Sequence, residues 1–436
     1  MDTILEEMFT FVEEEDVKFI RLAFCDIFGV HKNIAIMKSE LKRAFSDGIM
    51  IDGSSIAGFS SIHESDLFLS PDPTTLSALP WRPEPGRVIK FYCNIKNASG
   101  DIYHADSRSI LKRAIKKLDQ QGFGAKIGAE CEFYLFKLDD HDNPVYIPLD
   151  NGSYLDVAPL DKGEDVRREI CLLLNKMGLT PESSHHENGP GQNEIGFRYS
   201  DALSSADNIM TFKNIVKVVA NRYGLYASFM PKPLEDESGS SFHINISLTK
   251  HGKNIFQPEH MQNDIRDYFI AGILSKINEI TLFLNPTVNS YDRLGKMGAP
   301  KYISWSNSNR SALIRIPERY DERTRLELRS PDCSCNPYIV YALVISAGIY
   351  GIKNKLPLQQ ESNINLYDTL NTNYLKRLPK SLAEAISLAK NSHFVKEVLG
   401  EEFLQKYINL KEQELEDYEF VVDKQHFYTK EYLYKL

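Results

Sequence analysis

Apolar residues recur along this chain at two periods, and the change from one to the other outlines its organisation. The opening MDTILEEMFTFVEEED carries them at helical spacing. Short strands follow over residues 17–25 and 31–37. A loop-rich stretch comes next, with Asp52-Gly53-Ser54-Ser55 and prolines at 71, 73, 80, 83 and 85, and Gly86 opens a strand over 87–93. At 107–121 the period becomes helical, with Ile110, Leu111, Ala114, Ile115 and Leu118 on one face. That change divides the chain into a domain of residues 1–103 and another of residues 104–436. In the second, helices are predicted near 161–178, 205–224, 261–284, 337–352, 381–399 and 401–418, mixed with strands. Those strands alternate cleanly instead of running continuously apolar, so the expected class is α+β with an antiparallel sheet.

Several strands carry charge on the face turned away from the core. Residues 127–135 put Ile127, Ala129, Cys131, Phe133 and Leu135 on one face and Glu130, Glu132 and Tyr134 on the other. Two carboxylates thus aim the same way, about 7 Å apart, although a solvated strand edge carries such a pair equally well. Glu187 and Glu194 flank a Gly-Pro-Gly turn able to bring distant carboxylates together, and Glu194, Gly196 and Arg198 share a face beyond it. Over 241–248, Phe242, Ile244, Ile246 and Leu248 oppose His243, Asn245 and Ser247; a lone histidine there reads either as a bonded core residue or as a ligand. Arg325, Glu327 and Arg329 alternate with two leucines.

Taken together, these strands supply five carboxylates, an imidazole and several arginines. Clustered carboxylates repel and need cations. Hard oxygen donors with one imidazole favour Mg²⁺ or Mn²⁺, and arginine forks suit phosphate or carboxylate substrates. That chemistry is metal-assisted phosphoryl transfer. Neither a P-loop signature nor a dinucleotide glycine fingerprint is present.

Composition removes other classes. The 436 residues hold 51 Lys+Arg against 60 Asp+Glu, a net charge of −9, which argues against a nucleic-acid or anionic-membrane partner. The opening helix is acidic where a secretory signal is basic, so a cytoplasmic protein is expected. The longest apolar run, 339–352, follows Asn336-Pro337 and falls short of the roughly 18–20 residues a bilayer needs, so it is expected as a buried helix. Six scattered cysteines, of which only Cys333 and Cys335 are close in sequence, are expected as reduced core thiols.

The ordered motifs DGSSIAGF with HESD, KIGAECEFYLF, HHENGPGQNEI, MPKP followed by FHINISL, NPTVNSYDRL, NRSALIRIP, RLELRSPD and CNPY resemble type I glutamine synthetase over nearly the whole chain. The resemblance implies a small N-terminal β-grasp domain and a C-terminal catalytic domain with a curved antiparallel sheet and surrounding helices. It also implies a dodecamer of two stacked hexameric rings with each active site between neighbouring subunits. By the same resemblance, Glu132, Glu187 and Glu194 hold one divalent ion, and Glu130, His243 and Glu327 a second. Glu182, Asn245 and Ser247 line the nucleotide, while Arg310 and Arg315 meet the ATP phosphates. Arg293 and Arg329, with the backbone at Gly239, hold glutamate. Asp52 and Ser55 come from the adjacent subunit to form an ammonium pocket, and Asp52, Arg310 and Glu327 act in catalysis. The implied reaction, of nitrogen metabolism, joins glutamate to ammonia with ATP through γ-glutamyl phosphate.

The departures from the family fall near the amine. Residues 293–300 read Arg-Leu-Gly-Lys-Met-Gly-Ala-Pro, one residue shorter than the family's flap, with Gly298 where a glutamate is expected. Two alternatives therefore accompany the ammonia ligase: a γ-glutamyl-amine or polyamine synthetase taking a larger amine, and a catalytically silent structural or regulatory homologue. Ser60-Ser61-Ile62-His63-Glu64 lacks the arginine of the feedback-sensitive subtype, which implies weak inhibition by glutamine. Tyr367, in Asn365-Leu366-Tyr367-Asp368, matches a segment adenylylated in another subtype and is expected here as an ordinary exposed loop tyrosine. Residues 431–436 either insert into the opposite ring, as the family's tail does, or fray.

Overall fold

In a computed structural model, residues 2–81, 86–257, 259, 263–318, 321–367 and 374–436 are described. Pro83, Pro85, Asp368 and the first residues of the helix expected at 261–284 lie outside the described residues.

The opening acidic segment forms the helix Asp2–Glu14, whose Met8 and Val12 enter the core. The strands Val17–Cys25 and His31–Met37 occupy the spans their alternation predicts. With Ile49–Asp52, Asp66–Pro71, Ser77–Ala78 and Arg87–Asn97 they make a six-stranded sheet. Val17–Cys25 runs parallel to Arg87–Asn97, and the other pairs are antiparallel. The expected strand at 87–93 extends to Asn97 because its second half pairs with Asp66–Pro71.

Beyond it a ten-stranded sheet runs in the order Trp305–Asn307, Ile314–Ile316, Leu326–Leu328, Phe242–Lys250, Gly124–Leu138, Gln192–Asp201, Pro181–His186. Leu225–Ser228 and Pro144–Pro148 pair with Gly124–Leu138, and Lys253–Asn254 pairs with Phe242–Lys250. Its pairs are antiparallel except Trp305–Asn307 with Ile314–Ile316. The apolar face of the central strand is sealed: Ile127, Ala129, Cys131, Phe133 and Leu135 are each at most 1% exposed. Phe133 meets Phe212 of the helix Ala202–Arg222, and Phe242 stacks on Tyr341 of the helix Pro337–Asn354. The latter is buried along most of its length, as expected, and starts where Asn336 caps it by accepting from the Tyr338 amide. No helix among the described residues is long and apolar enough to cross a membrane. All six cysteines are free thiols.

Three local differences have physical causes. The helix expected over 381–399 is two, Leu382–Lys390 and His393–Leu399, because Ser392 leaves the first and caps the second by accepting from the Val395 amide. Pro181–His186, with almost no apolar residues, is a strand because it pairs with Gln192–Asp201. The final residues are not frayed: Leu433 is 0% exposed beside Tyr134 and Phe136 of the same chain, and Tyr226 donates to its carbonyl at 2.7 Å.

Candidate active site

Sheet register builds the site. On neighbouring strands, Arg315 stands opposite Glu327, Glu327 opposite Asn245, His243 opposite Glu130, Glu132 opposite Glu194, and Glu194 opposite His185. Cross-strand partners bring their side chains within contact range, and like charges placed so are destabilising. The alternation legible in each strand thus becomes one charged surface.

That surface lines a cavity of about 880 Å³ with Glu130, Glu132, Glu187, Glu194, His243 and Glu327 on its walls. Donor atoms of Glu130, His243 and Glu327 lie within 4.8 Å of one another, as do those of Glu132, Glu194 and His243. Glu187 joins through Glu194 and His185 at the same spacing. His243 Nε2 is buried and has no hydrogen-bond partner, while its Nδ1 lies 3.3 Å from Glu130 and 3.6 Å from Glu327. An orphaned imidazole nitrogen among five carboxylates fits divalent cations with hard oxygen ligands.

The charges divide unevenly. Burial pushes Glu130 up, but the bond and charge of His243, the Asn245 amide and Arg325 outweigh it and leave its pKa at about 2. Glu327 is likewise held low against burial, chiefly by Arg329, His243 and Arg315, the last donating at 2.8 Å. Glu132 and Glu194 go the other way. Burial raises both; Glu187 adds to the rise at Glu132, and Glu130, Glu132, Glu187 and Glu327 add to it at Glu194. Neutral donors hold Glu132: the Ser241 amide at 2.7 Å and Gln192 Nε2 at 3.0 Å.

The turn carrying Glu187 is locked from behind. His186 bonds Asp150 at 2.9 Å and the Glu187 carbonyl at 2.6 Å, and Asp150 also accepts from the amides of Gly152, Lys162 and Gly191. Neither His186 nor Asp150 is found by the strand pattern, because both lie off the charged face. His185, 2.9 Å from Glu187 and edge-on to Tyr154, is likewise a wall residue that spacing alone leaves without a role.

The remaining expected residues divide between walls and elsewhere. Arg310, Arg315, Arg329 and Gly239 line the main cavity. Glu182, Asn245 and Ser247 line a smaller adjoining one of about 210 Å³, which shares Glu130 and Arg325 with the first. Arg293 is not on either wall: it is 2% exposed and donates to the Ser330 carbonyl and the Ser241 hydroxyl, both at 2.8 Å. It stands one layer behind Gly239, where a Cβ would come within 2.8 Å of its side chain. Asp52 and Ser55 lie at the end of the N-terminal sheet, outside both cavities, with the Asp52 carboxylate accepting from Ser54 and Ser55. Arg198 leaves the charged face because the strand bulges after Phe197. Tyr367 is more than a loop residue, since it lines the main cavity. Met297 and Gly298 form the rim, Gly298 at φ +90° with open space around it.

Comparison with known proteins agrees with this geometry. The family description "Glutamine synthetase, catalytic domain" matches residues 104–430, and "Glutamine synthetase, beta-Grasp domain" matches residues 16–98. A glutamine synthetase of Methanosarcina mazei is 47% identical over 429 residues, 96% of each chain. A solved GmaS/ADP complex superposes with a TM-score of 0.88 at 28% identity, covering 96% of this chain and 97% of that one. The Plasmodium falciparum glutamine synthetase superposes with a TM-score of 0.85 at 26% identity, over 97% and 98%. The chain belongs to the glutamine synthetase family.

Proposed function

We propose that this chain is an ATP-dependent ligase that joins the γ-carboxylate of glutamate to ammonia through γ-glutamyl phosphate. The observation that carries the reading is the register-built cluster of Glu130, Glu132, Glu187, Glu194, Glu327 and His243 with arginines on the same wall, in a member of this family. The first step brings two anions together, a carboxylate and a triphosphate, and fixed positive charge must screen them. Two or more Mg²⁺ or Mn²⁺ ions, held by those six residues, would supply Lewis-acid screening. Arg315 and Arg310 take the transferring phosphate, Arg329 faces the glutamate carboxylate, and buried Arg293 supports Gly239 from behind. The smaller cavity with Glu182, Asn245 and Ser247 takes the nucleotide.

Asp52 and Ser55 lie outside their own chain's cavities, so they serve an amine pocket only when another copy delivers them. That supports a homo-oligomer, in the family pattern a dodecamer of two rings; a cytoplasmic location accompanies this reading, and the family matches, which end at residue 98 and resume at 104, support a division at about residue 103. A second reading is favoured by the rim. Gly298 offers no carboxylate and leaves room, so an amine larger than ammonia is accommodated there. Phosphate release with ATP, glutamate and Mg²⁺, run against ammonium, short alkylamines, ethanolamine and putrescine, tests both. Turnover with ammonium alone removes the second reading, and no amine-dependent turnover removes both.

A further inference from the structure

Gln192 lies in the wall of the main cavity, is 1% exposed, and has every polar group bonded. Its backbone closes the turn that carries Glu187. The Gln192 amide donates to the Gly189 carbonyl, and the Glu187 amide donates to the Gln192 carbonyl, both at 2.9 Å. The side chain reaches further. The Gly189 amide donates to Oε1 at 2.9 Å, which turns the NH2 end the other way. From there Nε2 donates to Glu132 Oε2 at 3.0 Å and to the Gly239 carbonyl at 3.1 Å. One hydrogen therefore meets a carboxylate of the ion cluster, and the other meets the backbone assigned to glutamate. The turn comes this close because residue 189 is glycine: a Cβ there would stand 3.0 Å from Oε1 and 2.1 Å from the Tyr134 hydroxyl.

The segment 238–241 is pinned residue by residue. The Tyr134 hydroxyl donates to the Ser238 carbonyl, and the Ser240 amide donates to the Pro231 carbonyl at 2.8 Å. The Ser241 amide donates to Glu132 Oε2 at 2.7 Å, the same oxygen that accepts from Gln192. Of these ties, the Gln192 side chain is the one that also holds the Glu187 turn. A glutamate in its place could accept from Gly189 but donate to neither neighbour, and would set a like charge beside Glu132.

We propose that Gln192 is a positioning residue that couples divalent-ion binding at Glu132 and Glu187 to glutamate binding at Gly239. The coupling rests on the ligase reading for its second ligand. Its mechanical part, transmission from Glu132 to residues 239–241, stands without that reading. A Glu132 carboxylate engaged by an ion is held in one orientation, and the amide carries that order to the Gly239 carbonyl. Glutamate seated at residue 239 fixes the amide from the other end. Such coupling is reciprocal, so each ligand tightens the other by the same factor.

The test uses the full-length protein with Mn²⁺ as the probe and no nucleotide, so that nothing turns over. In the wild type, saturating glutamate should tighten Mn²⁺ about tenfold, as read by calorimetry. Gln192→Met should weaken Mn²⁺ alone about tenfold, as loss of a group behind a metal ligand does. It should also cut the coupling factor to about twofold, the remainder passing through the Ser241 amide. Gln192→Glu, nearly the same shape, keeps the bond from Gly189 and should lose the coupling equally; it serves if methionine unfolds the turn. Tyr134→Phe releases the Ser238 carbonyl without touching Glu132, so it should weaken glutamate and leave the coupling factor at its wild-type value. An undiminished factor in the Gln192 variants, or an equal fall in Tyr134→Phe, overturns the proposal. Hydrogen exchange reads the mechanical part without glutamate. Mn²⁺ should slow exchange at the amides of residues 239–241 in the wild type and not in Gln192→Met; equal slowing in both overturns the proposal. A wild type that binds Mn²⁺ but no glutamate overturns the ligase reading alone, and the exchange result then decides the coupling. A wild type that takes up no Mn²⁺ overturns the coupling, and the phosphate-release assay then decides the ligase reading.

Discussion

Among the described residues, two of the buried charge clusters differ sharply: one is closed and the other is open. Between the N-terminal sheet and the helices, Arg108 forks onto Asp207 at 3.0 and 2.9 Å and reaches Asp72 at 2.9 Å and Asn94 at 3.1 Å. Tyr338 donates to Asp207 at 2.6 Å, and Lys112 bonds Asn94 at 2.8 Å beside Asp72. Two anions meet two cations there. Although burial opposes it, Asp72 is held at about 2 by Thr74, Arg108 and Lys112. On the open face of the catalytic sheet, five carboxylates share ion pairs with arginine that end on Glu130 and Glu327, and Glu132 and Glu194 are pushed up. A closed cluster holds two domains together, whereas an open one, with an unpartnered His243 nitrogen, is shaped for something that arrives.

The sharpest way to break this contrast is Glu194→Gln. Phosphate release is expected to fall by about 10²–10³-fold or more, as for removal of a key electrostatic group from an active site. Stability without divalent ions should hold or rise, because a buried carboxylate repelled by four others has become neutral. Thermal unfolding in chelator checks this. A clear loss of stability would mean that the cluster is as structural as the Arg108 clasp.

The converse substitution is Arg108→Leu, expected to cost about 3–5 kcal/mol in denaturant unfolding because it strands buried carboxylates. Adding Asp207→Asn should recover part of that loss, since the two side chains share one network. Divalent ions give the next largest effect. Mg²⁺ or Mn²⁺ at about a hundred times its Kd should stabilise the wild type by about 2.7 kcal/mol. The same addition should leave Glu194→Gln nearly unmoved, as read by melting temperature. An equal gain in both proteins would place the ions elsewhere.

How much of this was legible along the chain depends on the range of the interaction involved. Period two in 127–135 is local, so the face carrying Glu130 and Glu132 is readable from the chain alone and matches the structure. Which carboxylates stand opposite each other depends on register between distant strands, so Glu132 facing Glu194 and His243 facing Glu130 are not legible in any one strand. Pro181–His186 carries almost no apolar signal because pairing alone makes it a strand. Burial of Arg293 is equally hidden, since a charged residue in a motif is read as substrate-facing until its partners Ser241 and Ser330 are seen. The place of the tail is set at long range too: nothing in residues 431–436 themselves marks the slot beside Tyr134 and Phe136 that Leu433 fills in this chain.

Acidity separates the two regions once more, with the smallest effect and opposite signs. Next to the Arg108 clasp, Lys90 is buried and bonds Thr211 at 2.7 Å and Tyr92 at 3.1 Å; burial pushes it down to about 7 from 10.5, with Asp207 opposing. Above about pH 7 the folded chain releases this proton while the unfolded chain keeps it, so the unfolded state binds more protons and stability rises with pH. Between pH 7 and 9 the gain from this group is about 2 kcal/mol. Below pH 7 the lysine is charged in both states, and the fold carries the full cost of burying it. Glu194 behaves in reverse: raised in the folded state, it keeps a proton that the unfolded chain gives up, so it removes stability as pH climbs above its ordinary 4.5. Lys90→Met should therefore flatten the rise measured by urea unfolding at pH 7 and pH 9, and Glu194→Gln should leave that rise in place. If Lys90→Met keeps the full slope, the lysine is paired more strongly than its neutral partners Thr211 and Tyr92 allow, and the interdomain region is not the closed cluster its geometry describes.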